Sequence, residues 1–576
     1  MSVISRYETV SDVSNLNFAQ KENMGAYCKR YYLIIIIIGF SISLLPAQTT
    51  LSPFIQKKLD SIATQDVPAK APGIATAIIQ NGKVLYEKYA GIADFTDSSW
   101  IGVNTRFNIA SNGKQFTALA ILSLIEEKKL YLTDDIRKYF PSLYPNIKTP
   151  ITIEHILTHT SGIRDVYDLW SLQGLTWWKQ SFNNQDVRKL LQKQQDLNFQ
   201  PGTKYLYSNT NYILLALLIE KATGQTFRSF TESLFRTLGM HQTAFEDDHT
   251  KIKGPIARAY FNFNTWTTYS WIWDVCGDGN LFSTLKDQIR WEQIIQGTIN
   301  TGIKRSIILK SQQLINPSLS KQYGYGLEFG EYRDTKYTFH EGATGAWKAT
   351  TIRFPEQSLS MITLTNTGKS IPSQQTRQMA DIILSKVEKN TSFISQPTKT
   401  GNYISEMEIV GTYLTPNNFS FQFEWDKNQL LLKRSGRNDI ILEREAANIF
   451  HQKNDPAFKQ EFEINEKGEM QVTAYYTTHA PYTLTRPTAN WDGFNVMQWN
   501  GAYLNQETDI VLNLKWIANK TYELKIGETN TYKATLVTPS MLLAGPYILR
   551  MENDGSTTIY LDGERIRNVK FMLTKQ

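Results

Sequence analysis

The sequence predicts an α/β sandwich, an antiparallel sheet flanked by helices, followed by two small all-β barrel-like repeats. Three observations carry that expectation. Strand patterns stand at both ends of residues 48–395 with helical patterns between them, short alternating strands take over near residue 400, and that second region contains a tandem duplication. At 576 residues the chain also exceeds one hydrophobic core, because cores stop growing near roughly 250–300 residues.

In the first region, "GIATAIIQNGKVLYEKYAG" (Gly73 to Gly91) reads as strand, Asn-Gly turn, strand, a strong short-range hairpin signal. Residues 115–130 and 210–223 place apolar side chains at helical spacing, and Gly224 closes the second as a residue just past a helix end should. "KATTIRFPEQSLSMITLTN" reads as two strands joined at Pro355, and Pro372 to Lys389 forms a last helix. From residue 400 the texture changes. "NFSFQFEWDKNQLLLK" sets Phe419, Phe421, Phe423 and Trp425 on one face, and "TDIVLNLKWIANKTYELK" repeats the scheme with Ile510, Leu512, Leu514 and Trp516. The openings "VGTYL" and "NGAYL" correspond, as do the endings "YTLTR" and "FMLTK". The duplication predicts two lipocalin-like barrels, at 400–488 and 495–576, each with about eight strands so that its sheet edges are hidden.

Composition excludes several classes. Lys+Arg exceeds Asp+Glu by 61 − 54 = +7 over the whole length, with no basic run that would clamp nucleic acid. Two cysteines, Cys28 and Cys276, form no disulfide framework and match no metal-ligand spacing. The beginning, "CKRYYLIIIIIGFSISLLPAQ", has a charged start, an apolar run from Leu33 to Leu45 and small residues at Pro46 and Ala47. That pattern is a secretory signal over residues 1–47, with an uncleaved membrane anchor as the alternative. Residues 1–23 are long for the charged part of a signal, and Met24 offers a second start. The expected location is therefore periplasmic or extracellular, with membrane contact only through this segment.

The chemistry centres on "FNIASNGKQFTALAILSLIEEKKL", where Ser111 precedes a helical pattern and Lys114 lies one turn on. A lysine in a first turn opposes the helix dipole, and such local violations cluster at functional sites. The lysine can take or relay the serine proton, while the helix start favours a developing anion. Alone, Ser-x-x-Lys leaves the reading of Ser111 as a helix cap open. "YSNTNYILLALLIEKATG" adds Tyr207 and Asn209 at the mouth of another predicted helix, and "HEGATGAWKATTIRF" adds His340, Glu341, Gly342 and Ala343 on the edge of a predicted strand.

With these residues the sequence resembles the serine β-lactamase and penicillin-binding-protein-like family, in its class C, DD-peptidase, D-aminopeptidase and esterase branch. That family carries Ser-x-x-Lys, Tyr-x-Asn and Lys-Thr-Gly or His-x-Gly in this order. "ITIEHILTHTSGI", "QPGTKYLYSN", "LGMHQTAF", "GDGNLFSTLKDQIRW" and "YGYGLEFG" match further, so the resemblance spans about residues 51–390. It implies the β-lactamase/transpeptidase-like fold, no cofactor and no metal. It implies that Ser111 is the nucleophile of an acyl-enzyme, and that Lys114 and Tyr207 share its proton, the phenol being depressed beside the ammonium. By the same resemblance Asn209 binds Lys114 and the substrate amide, and His340 supports the Tyr207 hydroxyl. Gly342 lets the strand approach the substrate, and the Ser111 and Ala343 amides form the oxyanion hole. His155 and His159 are expected to hold a loop by hydrogen bonds, and the aromatic stretch 260–280 either lines the cleft or packs elsewhere.

Glu341 departs from the pattern, standing where penicillin-cleaving relatives have threonine or serine. If it points inward, its carboxylate repels an anionic substrate and favours neutral esters, amides or amine-bearing peptides. The resulting expectation is a secreted serine hydrolase acting on amide or peptide bonds of small peptides, cell-wall fragments among them, of D-aminopeptidase type. An esterase, a β-lactamase or DD-carboxypeptidase, and a catalytically inactive cell-wall or glycan-binding scaffold are the alternatives. The D-aminopeptidase resemblance further implies that a barrel loop reaches the active site, without identifying its residues.

Overall fold

The computed structural model describes residues 51–175, 179–384, 403–416, 419–433, 439–453, 455–475, 481–552 and 557–574. The expected signal segment, residues 1–47, lies outside these.

The Asn81-Gly82 turn has positive φ at both residues, 51° and 74°, the geometry that matches a two-residue turn to the twist of its flanking strands. It joins Ile74–Gln80 to Lys83–Ala90. These two strands complete a six-stranded sheet whose order is Glu328–Tyr332, Thr335–Thr344, Trp347–Phe354, Leu359–Thr365, Ile74–Gln80, Lys83–Ala90. Every neighbouring pair is antiparallel. The helices Pro53–Thr64 and Pro372–Leu384 cover one face, where Leu59, Ala63, Ile78, Ile352, Met361 and Met379 pack together. Residues 385–389 of the expected last helix fall outside the described segments.

Ala77 and Ile79 alternate with Ile78 and face the opposite side, into the larger core. There the helices Lys114–Glu126 and Asn209–Thr223 are apolar almost all round and are buried accordingly. Gly224 ends the second helix at φ 72°. The α/β sandwich read from the sequence is the observed architecture.

Both repeats close. Eight strands from Gly411–Leu414 to Tyr482–Thr485 form one barrel, and eight from Gly501–Asn505 to Val569–Leu573 form the other. The duplicated openings and endings are the strands that meet at the seam: Leu414 pairs with Thr485, and Tyr503 with Leu573. The inward alternation holds for Phe421 and Phe423, whereas Phe419 and Trp425, at the strand's two ends, remain 41% and 38% exposed. The first barrel closes around its own apolar cluster, including Tyr413, Phe423, Phe462 and Leu484. The second differs, because the apolar cluster of the α/β region continues into its interior at Tyr503, Leu512, Tyr522, Leu549 and Phe571.

A buried ion pair fastens that junction. Arg164, 1% exposed, donates from Nη1 to Glu507 Oε2 at 2.6 Å. It also donates from Nε to the Arg567 carbonyl and from Nη2 to the Asn568 carbonyl. Glu507 Oε1 accepts the Gln195 and Asp196 backbone N–H groups. Removing one partner of such a pair strands a buried charge, which costs about 3–5 kcal/mol. Glu507→Ala is therefore expected to lower the thermal transition of the full chain markedly, and Glu507→Gln, which keeps the acceptor oxygen, to lower it less. Scanning calorimetry of the three proteins checks the ranking.

Candidate active site

Ser111 does not cap a helix. It lies in a 3₁₀ turn, Ala110–Gly113, that leads into Lys114–Glu126, and neither start carries a side-chain cap. The turn is forced by Ala110, whose φ of 48° is a left-handed conformation that costs an L-residue roughly 1–2 kcal/mol. Asn108 Oδ1 accepts the Ala110 N–H at 3.0 Å and helps hold it there. The serine hydroxyl, free of capping duty, faces Lys114 Nζ at 3.1 Å.

Lys114 is completely buried. Two of its N–H bonds are committed to fixed acceptors, Asn209 Oδ1 at 2.9 Å and the Asp278 carbonyl at 2.6 Å. The third position points at Ser111. Burial lowers the ammonium's pKa to about 8, opposed by the Asp278 carboxylate and assisted by the Arg565 charge. In its neutral form this amine keeps both fixed hydrogen bonds and turns a lone pair on the serine proton.

Asn209 is oriented in turn by Asp165, whose Oδ2 accepts the Asn209 backbone N–H at 2.6 Å and its Nδ2 at 3.0 Å. Sequence reasoning missed Asp165. It follows Arg164 just beyond the quoted "ITIEHILTHTSGI", and no spacing rule marks it. Asp278 lies within "GDGNLFSTLKDQIRW", where the motif itself assigns it no role. Its backbone carbonyl serves Lys114, and its carboxylate accepts the Tyr167 hydroxyl at 2.8 Å.

Two expected roles need correction. The Tyr207 phenol is not depressed. Burial raises it well above the usual range, although the neighbouring Ser111 hydroxyl and the Arg565 charge pull the other way, so it stays protonated. The Lys114 ammonium stands over the Tyr207 ring face, 5.0 Å from its centre, instead of beside its oxygen. His340 does not support Tyr207 either. Its Nε2 is 2.9 Å from the Tyr323 hydroxyl, its Nδ1 is 2.8 Å from the Glu341 carbonyl, and its ring centre is 6.3 Å from that of Tyr207. A carbonyl only accepts, so Nδ1 carries the proton and Tyr323 donates to Nε2. Burial lowers the imidazole to about 3, with the Lys114 charge adding to the effect, so His340 is neutral.

Gly342 also acts differently from the expectation. A Cβ there would sit 2.4 Å from the Ile109 carbonyl and 3.0 Å from the Ser111 amide nitrogen. The glycine lets the strand approach the serine's own turn, which sets the Ser111 and Ala343 amides beside one cavity. Glu341 is paired with Arg377, Oε1 to Nη2 at 3.0 Å, so its charge is compensated and the expected repulsion of an anionic substrate loses its basis.

His155 completes a capping box with Thr152, and His159 Nδ1 faces the Ser208 and Asn211 nitrogens. Among the described residues no cluster of three or more His, Cys, Asp or Glu is placed to hold a metal. Ser111, Tyr207, Asn209, His340, Glu341, Gly342 and Ala343 all line one cavity of about 930 Å³, joined by Trp271 and Trp273 of the aromatic stretch and by Arg565 of the second barrel. Lys114 lies just behind its wall.

This fold and cavity define a class: serine hydrolases that work through an acyl-enzyme. The Beta-lactamase family matches residues 59–385, and the chain belongs to that family. Protein flp of Staphylococcus aureus (strain N315) is 26% identical over 419 residues, 68% of this chain and 80% of that protein. A D-aminopeptidase of Brucella anthropi is 30% identical over 306 residues, 52% of this chain and 56% of that enzyme. The octameric penicillin-binding protein homologue from Pyrococcus abyssi shares the fold, with a TM-score of 0.52 at 22% identity over 74% of this chain and 99% of that one.

Because backbone atoms surround the missing Gly342 Cβ, Gly342→Ala must push the strand or the serine turn aside. A displacement near 1 Å costs about 10²-fold in rate. The variant is expected to lose about that much kcat while remaining folded, which steady-state kinetics alongside circular dichroism tests.

Proposed function

We propose that the protein is an exported serine amide or peptide hydrolase acting on small peptides, of D-aminopeptidase or related type. The observation that carries the chemistry is the buried Lys114 amine, held by two fixed acceptors with its remaining position on Ser111 Oγ. The D-aminopeptidase relative supports the choice of amide over ester bonds. Export rests on the residue 24–47 pattern, and N-terminal sequencing of the mature protein tests it.

In this reading neutral Lys114 takes the Ser111 proton as Oγ attacks the substrate carbonyl carbon. The carbonyl oxygen's negative charge is met by the Ser111 and Ala343 N–H groups, donors worth about 10²–10³ in rate each where measured. The tetrahedral carbon then expels the amine, which takes a proton from the Lys114 ammonium directly or through the protonated Tyr207 hydroxyl. Water repeats the sequence on the ester of Ser111, and Lys114 again receives and returns the proton. Neutral His340 holds Tyr323 and the Glu341 carbonyl without exchanging charge.

Four expected outcomes follow. Ser111→Ala abolishes labelling by a fluorophosphonate probe, and Lys114→Ala lowers acylation by about 10²–10⁴-fold; labelling at another residue defeats the assignment. Since the neutral amine is the active form and its pKa lies below the ordinary lysine value, acylation rises with pH and levels off above about 8. The unfolded chain keeps that proton to higher pH, so stability also rises over the window from about 8 upward. Stopped-flow acylation with a D-amino-acid p-nitroanilide and a p-nitrophenyl ester, compared across pH 6–10, reads the inflection and the amide-versus-ester preference together.

A further inference from the structure

The turn 562–568 of the second barrel is bolted to the catalytic region through its backbone. The Arg565 N–H donates to Asp168 Oδ2 at 2.7 Å, and the Arg565 carbonyl accepts Asn198 Nδ2 at 3.1 Å and the Asp165 N–H at 3.3 Å. The Arg567 N–H donates to Asn198 Oδ1 at 2.6 Å, and Ile566 is fully buried. Such anchoring leaves the Arg565 side chain one direction, into the cavity that holds Ser111. Its guanidinium carbon stands 5.2 Å from the centre of the Tyr207 ring.

Among the described residues the other basic groups at this cavity are already matched, whereas among its acids Glu328 and the Asp278 Oδ1 oxygen are not. Lys114 is held as described. Lys348 donates to the Gly368 and Ser370 carbonyls at 2.7 Å each. Glu341 pairs with Arg377, and the Asp278 carboxylate accepts from Tyr167. Burial beside Glu341 raises Glu328 to about 7. Asp165 and Asp168 act on Arg565 through their charges, while both Asp165 oxygens and Asp168 Oδ2 accept backbone or amide N–H groups instead of the guanidinium. Among the described residues the guanidinium's one ion-pair contact is Glu564 Oε1, 3.6 Å from Nη2, too long for a good hydrogen bond. The side chain keeps 33% of its surface accessible and lines the cavity. A planar fork of unmatched donors fits a carboxylate, which it can bind through two parallel hydrogen bonds.

We propose that Arg565, delivered by the second barrel, is a specificity-determining residue that binds a carboxylate of the substrate, so that the preferred acyl donors are small peptides carrying a free carboxylate. The proposal rests on reading the same cavity as an acyl-hydrolase site, and its test separates the two.

The test uses the full chain and its R565Q and R565E variants. Labelling of Ser111 by a neutral fluorophosphonate is followed alone and in the presence of N-acetyl-D-alanine or its uncharged amide. Without competitor R565Q and R565E are expected to label more slowly than the wild type, because the Arg565 charge helps to lower Lys114, so protection is read in each protein relative to its own uncompeted rate; absence of labelling in the wild type overturns the hydrolase reading itself. In the wild type the carboxylate is expected to protect at about 10- to 100-fold lower concentration than the amide, the range of a hydrogen bond to a charged group. R565Q should erase that advantage without altering protection by the amide, and R565E should reverse it. Equal protection by both compounds in the wild type, or a carboxylate advantage that survives in R565E, overturns the proposal. So does a parallel loss of both protections in R565Q, which marks a structural role.

Discussion

Everything at this site depends on an amine placed where no water reaches it. Burying a lone ammonium is costly unless its donors are matched, and Lys114 meets that demand with two carbonyl oxygens and one hydroxyl. The two carbonyls come from the start of the Asn209 helix and from the Asp278 backbone, which together hold the amine against the serine. The serine is fixed just as firmly, because Ala110 is held left-handed and the strand at Gly342 packs against the turn. The same burial that lowers Lys114 raises Tyr207, since desolvation always disfavours the charged form. One environment thus yields an amine ready to accept a proton and a phenol that keeps its own.

The constraint extends beyond the catalytic region. Asn209 is set by Asp165, and Asp165 follows Arg164, whose guanidinium is locked to Glu507 and to two backbone carbonyls of the second barrel. The Asp165 N–H reaches the Arg565 carbonyl. Two adjacent residues therefore carry the connection, one toward the barrel and one toward the lysine. This arrangement makes the second barrel part of the site's support, with its apolar interior continuous with the main core.

Much of this was legible in the sequence because it rests on local rules. The Asn81-Gly82 hairpin, the two apolar helices and the Gly224 terminus follow from turn chemistry and periodicity, and the barrel seam follows from the duplicated openings and endings. Ser111, Lys114, Tyr207 and Asn209 were legible as motifs, and they line or back one cavity. What stayed hidden involves partners distant in the chain. Asp165 has no motif, Tyr323 takes the hydrogen bond of His340 that family resemblance gave to Tyr207, and Arg377 compensates Glu341 from a helix whose polar face gives no hint of it. The direction of the Tyr207 shift was hidden for another reason. Pairing with a cation is visible in sequence, whereas the desolvation that outweighs it requires the packed structure.

The two barrels show how a duplicated module acquires a part in chemistry. Aligning their openings sets Asn417 opposite Glu507, and aligning their endings sets Tyr476 opposite Arg565. Neither counterpart in the first copy is a charged side chain that could meet Arg164 or present a cation. The strand pattern, inward alternation and seam are common to both copies, since these are what a closed barrel requires. The charged residues that differ lie in connections between strands, where substitution leaves the barrel core untouched. The first copy accordingly closes on its own apolar cluster, and the second joins the catalytic core and lends it a turn. A barrel's interior fixes its fold while its loops stay free to change, so the same repeat can be a self-contained domain in one position and a wall of the active-site cavity in the next.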